Sequence, residues 1–120
     1  MGSTLESFAI RSAAFEGVAI DTLEAGTTLV VTTQNSQYRF VILLDPSFVL
    51  VQGGTMFPDA TVARLEGATA GGSALKVGWI LVGFQIEMWF GVVRVRTSPV
   101  RSISIERIPV IGDRDEESPA

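Results

Sequence analysis

The sequence predicts an all-β domain: a small barrel or a strongly curved antiparallel meander of about seven strands, with one N-terminal helix. Three observations carry this. Val, Ile and Thr make up 33 of the 120 residues, and their stiff, β-branched side chains suit extended backbone. Twelve glycines and five prolines punctuate the chain at short intervals, as turns between short strands require. From Ile80 to Phe90 every even position (Ile80, Val82, Phe84, Ile86, Met88, Phe90) is large and apolar, the period of a strand with one buried face.

Ser3 and Glu6 form an S-x-x-E capping box. Leu5, Phe8, Ala9 and Ser12 follow at helical spacing and Gly17 can stop the helix, so a helix is expected over 4–15, with a strand at Phe8–Ser12 as the alternative. Thr27–Thr33 and Tyr38–Leu44 read as strands joined by a tight turn around Asn35-Ser36. Asp45-Pro46-Ser47 is a turn signal, Phe48–Gln52 a third strand, and Gly53-Gly54 a break or bulge. A loop at Phe57-Pro58-Asp59 leads into a weaker strand over Thr61–Thr69. Val77–Met88 is the clearest strand; Val92–Thr97 and Arg101–Ile108 are read as the last hairpin, joined at Ser98-Pro99. The expected organisation is a single β domain over 1–111 and a disordered acidic tail over 112–120.

Composition narrows the chemistry. The chain holds no cysteine and no histidine, so Ser-His-Asp triads, thiol nucleophiles and the usual zinc and haem sites are excluded, and no disulfide is available. Neither a metal nor any other cofactor is expected. Net charge is −4, and Asp113–Glu117, with four acids and one base, supplies −3 of it. The body is therefore near neutral and neither attracts nor repels nucleic acid by total charge. The N-terminal stretch lacks the pattern of a signal peptide, and Glu6 stands where a myristoylation motif needs Ser or Thr. Gln85 and Glu87 interrupt the apolar run Val77–Val93, which is short for a membrane span. A cytoplasmic protein is expected.

Several features invite a chemical reading. Ser73-Ala74-Leu75-Lys76 matches S-x-x-K, but the flanking Gly71-Gly72 and Gly78 leave no room for the helix that this motif needs. Gly67–Ser73 is glycine-rich and precedes the only lysine; it departs from the phosphate-loop pattern and reads better as a mobile turn. With Gly53-Gly54, Gly71-Gly72-Ser73 could still frame a small-molecule site at a barrel mouth. Arg94, Arg96, Arg101 and Arg107 cluster where no acid stands between Glu87 and Glu106. Such a ribbon could contact phosphates, although solvated charge that protects a sheet edge explains it more simply. Glu87, in the most apolar part of the chain, needs a partner if buried, and an arginine on the next strand is the expected one. Trp79, Gln85, Glu87, Trp89 and Phe90 mark the candidate contact surface. Trp89 and Phe90 are either exposed anchors near a hairpin tip or core residues.

The segments TTQNSQY (Thr32–Tyr38), GGSALKVGWILVG (Gly71–Gly83) and TSPVRSI (Thr97–Ile103) resemble short bacterial all-β proteins that carry a domain of unknown function. The resemblance implies a stand-alone bacterial domain and carries no activity. The reading that results is a non-enzymatic binding or assembly module, expected to form a homo-oligomer or meet a protein partner. A nucleic-acid-binding small barrel and a small-molecule binder stand as alternatives.

Overall fold

The computed structural model describes residues 11–106. Eleven strands are named in this span: β1 (Arg11–Phe15), β2 (Gly17–Ala19), β3 (Thr28–Thr33), β4 (Gln37–Ile42), β5 (Phe48–Gly53), β6 (Phe57–Thr69), β7 (Leu75–Val77), β8 (Trp79–Leu81), β9 (Gln85–Phe90), β10 (Val93–Arg96) and β11 (Val100–Glu106). The main sheet has the order β1-β11-β3-β4-β5-β6-β9-β10, with β7 also on β6, and β2 and β8 form a second, two-stranded sheet. The pairings between named strands are antiparallel.

Alternating burial builds the core. Leu29 and Val31 on β3, Phe40 and Ile42 on β4, and Val49 and Val51 on β5 are buried, and the residues between them face outward. Ile86 and Met88 on β9 and Ile103 and Ile105 on β11 complete that inner surface, and Ile20 and Ile80 from the short segments cover it. Burying each such side chain contributes about 1.5–3 kcal/mol. The interior is thus filled by side chains.

The sheet curls but does not close, since β1 and β10 stand at opposite ends of the strand order. One rim is tied. Thr97 N donates to Ile86 O at 3.0 Å, Val100 N to Phe84 O at 2.9 Å, Gly83 N to Val100 O at 2.8 Å and Gln34 N to Pro99 O at 2.9 Å. The Thr97 hydroxyl accepts from Ile86 N at 3.0 Å, and Ser98 Oγ donates to Thr33 Oγ1 at 2.8 Å. These bonds let a three-residue connector carry the chain from β10 to β11 although the strands do not pair. The barrel expected from the edge-protection argument is therefore an open curled sheet, and the expected last hairpin is a crossover.

Other expectations are corrected by pairing. Arg11–Phe15, the described part of the helix expected over 4–15, is strand β1, with Phe15 opposite Ile103; residues 4–10 lie outside the described span. A lone twelve-residue helix is marginal, and here edge pairing onto β11 prevails. The loop expected at Phe57-Pro58-Asp59 is the start of β6, because Phe57 pairs with Gly53 and is buried. The strand expected over Val77–Met88 is broken at Gly78 (φ 76°) and Gly83 (φ 93°). Gly67 allows β6 to be flanked on both sides: it pairs with Val77 on β7 and Glu87 on β9, and a Cβ there would collide with the Lys76 carbonyl oxygen. The expected tail over 112–120 lies outside the described residues.

Candidate functional site

Because Ile86 and Met88 point inward on β9, Gln85, Glu87 and Trp89 share its outer face. Strand register then decides what meets them. Phe48 on β5 stands opposite Arg64 on β6, Arg64 opposite Trp89 on β9, and Trp89 opposite Arg94 on β10. The result is a row across four strands in which aromatic and cationic side chains alternate. Arg94 lies 5.8 Å from the centroid of the Trp89 ring, within cation–π reach, and Arg64 is ion-paired with Glu66 on its own strand.

Beside this row runs an apolar one. Val41, Leu50 and Val62 are in register across β4, β5 and β6, and Val62 is 52% exposed. The hairpin tip Gly91–Val92 continues that line past β6, because Arg64 pairs with Trp89 and the strands are antiparallel. Val92 is 91% exposed. On the other half of the same outer face, Thr28, Thr32, Gln37 and Arg39 lie on β3 and β4, and Arg39 is ion-paired with Glu106. Apart from Val30, which stands opposite Arg39, that half is polar, as a water-facing sheet surface should be.

On the far side of the aromatic row, Glu87 has found the arginine expected of it: Arg96, directly opposite on β10, with Nε 2.8 Å from the carboxylate. Gln85 Oε1 accepts from Gly71 N at 3.0 Å, which fixes the glycine loop at the end of β9. Ser73 Oγ donates to Ala70 O at 2.7 Å, while Lys76 sits on β7 with Nζ 4.4 Å above the centroid of Trp79. Each of these two side chains therefore has a structural use.

The candidate contact residues are only partly brought together. Gln85, Glu87 and Trp89 share the outer face. Phe90 turns to the inner side and meets Phe57 edge-on, with ring centroids 5.8 Å apart. Trp79 is on β8, in the two-stranded sheet opposite Ala19, and borders a hollow of about 290 Å³ with Ile20, Asp21 and Leu65. Sequence reading did not single out Phe48, Leu50, Val62 and Arg64, whose place beside Trp89 comes from cross-strand register, which strand patterning does not encode.

Among the described residues, the arginines do not line one hairpin, because β10 and β11 do not pair. Arg94 and Arg96 share a face of β10, but Arg96 is neutralised by Glu87 and Arg94 leans on Trp89. Arg101 lies at a register shift on β11, a strand that does not pair with β10, and Arg107 lies outside the described residues. The glycine pairs stand beyond opposite ends of β6. A Cβ on Gly54 would meet the Tyr38 hydroxyl at 2.8 Å, and one on Gly72 would meet the Arg96 guanidinium at 2.6 Å. A second hollow, of about 160 Å³, is lined by Val30, Gln37, Tyr38, Arg39 and Gln52, and neither hollow is lined by these glycines. Among the described residues no group of three or more acidic side chains is placed to hold a metal ion, and no helix is long and apolar enough to cross a membrane.

Comparison with known proteins returns no matching family model, no matching curated protein and no matching solved structure.

Proposed function

We propose that this protein is a non-enzymatic binding or assembly module whose contact surface is the outer face of β5, β6, β9 and β10. One observation carries the reading: the row Phe48–Arg64–Trp89–Arg94 lies beside the partly exposed row Val41–Leu50–Val62, while the other half of the outer face is polar apart from Val30. Apolar and aromatic groups held together on one half of a solvent-facing sheet are the composition of an interface core, in which Trp and Arg anchors are enriched. Phe90 and Trp79 leave the contact surface anticipated from the sequence; Phe48, Val62 and Arg64 join it.

Size-exclusion chromatography with light scattering on freshly lysed material, read at 260 and 280 nm, tests the reading. A protein peak heavier than one chain, shifted to a single chain by Trp89→Ser, supports it. Excess absorbance at 260 nm that disappears at higher salt supports the nucleic-acid alternative through Arg94. A clean single chain with no partner in the lysate removes the contact face.

A further inference from the structure

The aromatic–cationic row is complementary to its own reverse. Read from β5 to β10 it runs Phe48, Arg64, Trp89, Arg94; read backwards it runs cation, ring, cation, ring. We propose that the occupant of this face is a second copy of the same chain, related by a two-fold axis parallel to the strands and midway between β6 and β9. The inference rests on the reading of this face as a contact surface.

The axis places β5 over β10 of the other copy and β6 over its β9. Phe48 then faces a second Arg94, and Arg64 faces a second Trp89. Every aromatic ring in the row meets a guanidinium, the arrangement cation–π attraction favours when water is expelled. Each contact occurs twice, as in any closed isologous dimer. The neighbouring apolar line obeys the same operation. Leu50 lies over the other copy's Val92, and Val62 over its Gly91, where the missing side chain lets the two sheets come close. Sheets stacked face to face stand about 10 Å apart, the spacing expected at the axis, where β6 lies over β9 of the other copy.

Charge agrees with this occupant. Arg64 is balanced by Glu66 and Arg96 by Glu87, so on this face Arg94 alone brings a charge with no acid partner among the described residues. Added salt screens the two like Arg94 charges and leaves the dimer unweakened. A nucleic acid on the same face would instead be released steeply.

The test is sedimentation velocity on the full chain from about 1 µM to about 1 mM, the range that brackets weak and moderate dimers. The expected result is a concentration-dependent step from one chain to two, unchanged or strengthened by added salt. Val92→Asp weakens it by about tenfold or more, the effect of a truncated interface anchor. Val92 stands in the turn and is 91% exposed, so this variant folds as the parent does. Trp89→Arg sets arginine against arginine and also weakens the dimer, whereas the double variant Arg64→Trp with Trp89→Arg again sets a ring over a guanidinium where β6 crosses β9 of the other copy, and recovers it. A single chain at every concentration overturns the second copy, as does Val92→Asp dimerising like the parent, or a double variant no tighter than Trp89→Arg alone. If the parent stays single yet the lysate chromatography still shows a Trp89-dependent partner, the two-fold dimer fails and the contact face stands. If Trp89→Ser changes neither measurement, both fail.

Discussion

Arg96 stands directly opposite Glu87, with Nε 2.8 Å from its carboxylate, and its guanidinium occupies the space a Gly72 side chain would need. One side chain thus connects β9, β10 and the loop that follows β6. The Glu87 side chain is 12% exposed, so the pair is shielded more than an open surface ion pair. Glu87→Gln keeps the shape and removes the charge. It is expected to cost about 1 kcal/mol, the usual worth of a charge-assisted hydrogen bond less what the amide retains. Urea denaturation reads this directly, and an unchanged midpoint would show the pair to be idle.

Gly72 tests the same connection from the other side. Its φ is 85°, and an added Cβ would lie 2.6 Å from an Arg96 terminal nitrogen. Gly72→Ala is expected to cost about 1 kcal/mol for the left-handed backbone, plus whatever is lost by displacing Arg96. That second part is shared with Glu87→Gln. The double variant should therefore be less destabilised than the sum of the singles, by about 0.5 kcal/mol or more. Strict additivity in denaturation would mean that Arg96 does not join the loop to β9.

The run Ile80–Phe90 shows how far the residues alone can lead. Its even positions share an apolar character, and the period of two suggests one buried face. Ile80, Ile86 and Met88 are fully buried, but Phe84 and Phe90 are each 41% exposed. The chain turns at Gly83, where Phe84 N donates to Leu81 O at 3.1 Å. A turn built from apolar residues leaves no trace in a hydrophobicity pattern, so the two strands read as one. Met88→Ala should cost about 2–5 kcal/mol as a core cavity, and Phe84→Ser less than about 1 kcal/mol. Equal losses in thermal or chemical denaturation would restore the single-face reading.

Turns marked by polar residues were legible, unlike the apolar turn at Gly83. The turn after β3 closes through Thr33 N to Ser36 O at 2.7 Å, as Asn35-Ser36 suggested, and Glu87 met an arginine on the adjacent strand, as its apolar setting required. Long-range register was not legible. Arg64 and Trp89 are 25 positions apart, and nothing in either stretch states that they stand side by side. The proposed contact row depends on that pairing; Gln85, Glu87 and Trp89 could be named from the strand pattern, but their neighbours on β5 and β6 could not.

Gly67 is where β6 accepts β7 on one side and β9 on the other. Its φ is 149°, and the Lys76 carbonyl oxygen fills the space that a Cβ would need. Backbone rather than a flexible side chain would have to move. Gly67→Ala is expected to cost about 3 kcal/mol or more, the range of strained-backbone substitutions. It should also speed amide hydrogen exchange in β7 before it does so in β3 and β4. Uniform exchange across the sheet would show that the branch is not a local weak point.

Asp45 provides the pH dependence. Its Oδ1 accepts from Ser47 Oγ at 2.5 Å and from Ser47 N at 3.0 Å, and Phe48 N closes the turn onto Asp45 O at 2.9 Å. The Ser47 hydroxyl first, and its backbone amide second, favour the carboxylate and hold the Asp45 pKa below its ordinary 3.8. A carboxyl whose folded value is depressed stabilises the fold above the unfolded value, and that contribution disappears as pH falls through the folded value. The turn should therefore hold unchanged down to about pH 5 and loosen only in acid below 3.8. Ser47→Ala removes the larger of the two hydrogen bonds and leaves the amide. In an NMR titration of the Asp45 carboxyl it should move the midpoint up toward 3.8 without reaching it. A midpoint that does not move would mean that the Ser47 hydroxyl makes no bond to the carboxylate in solution.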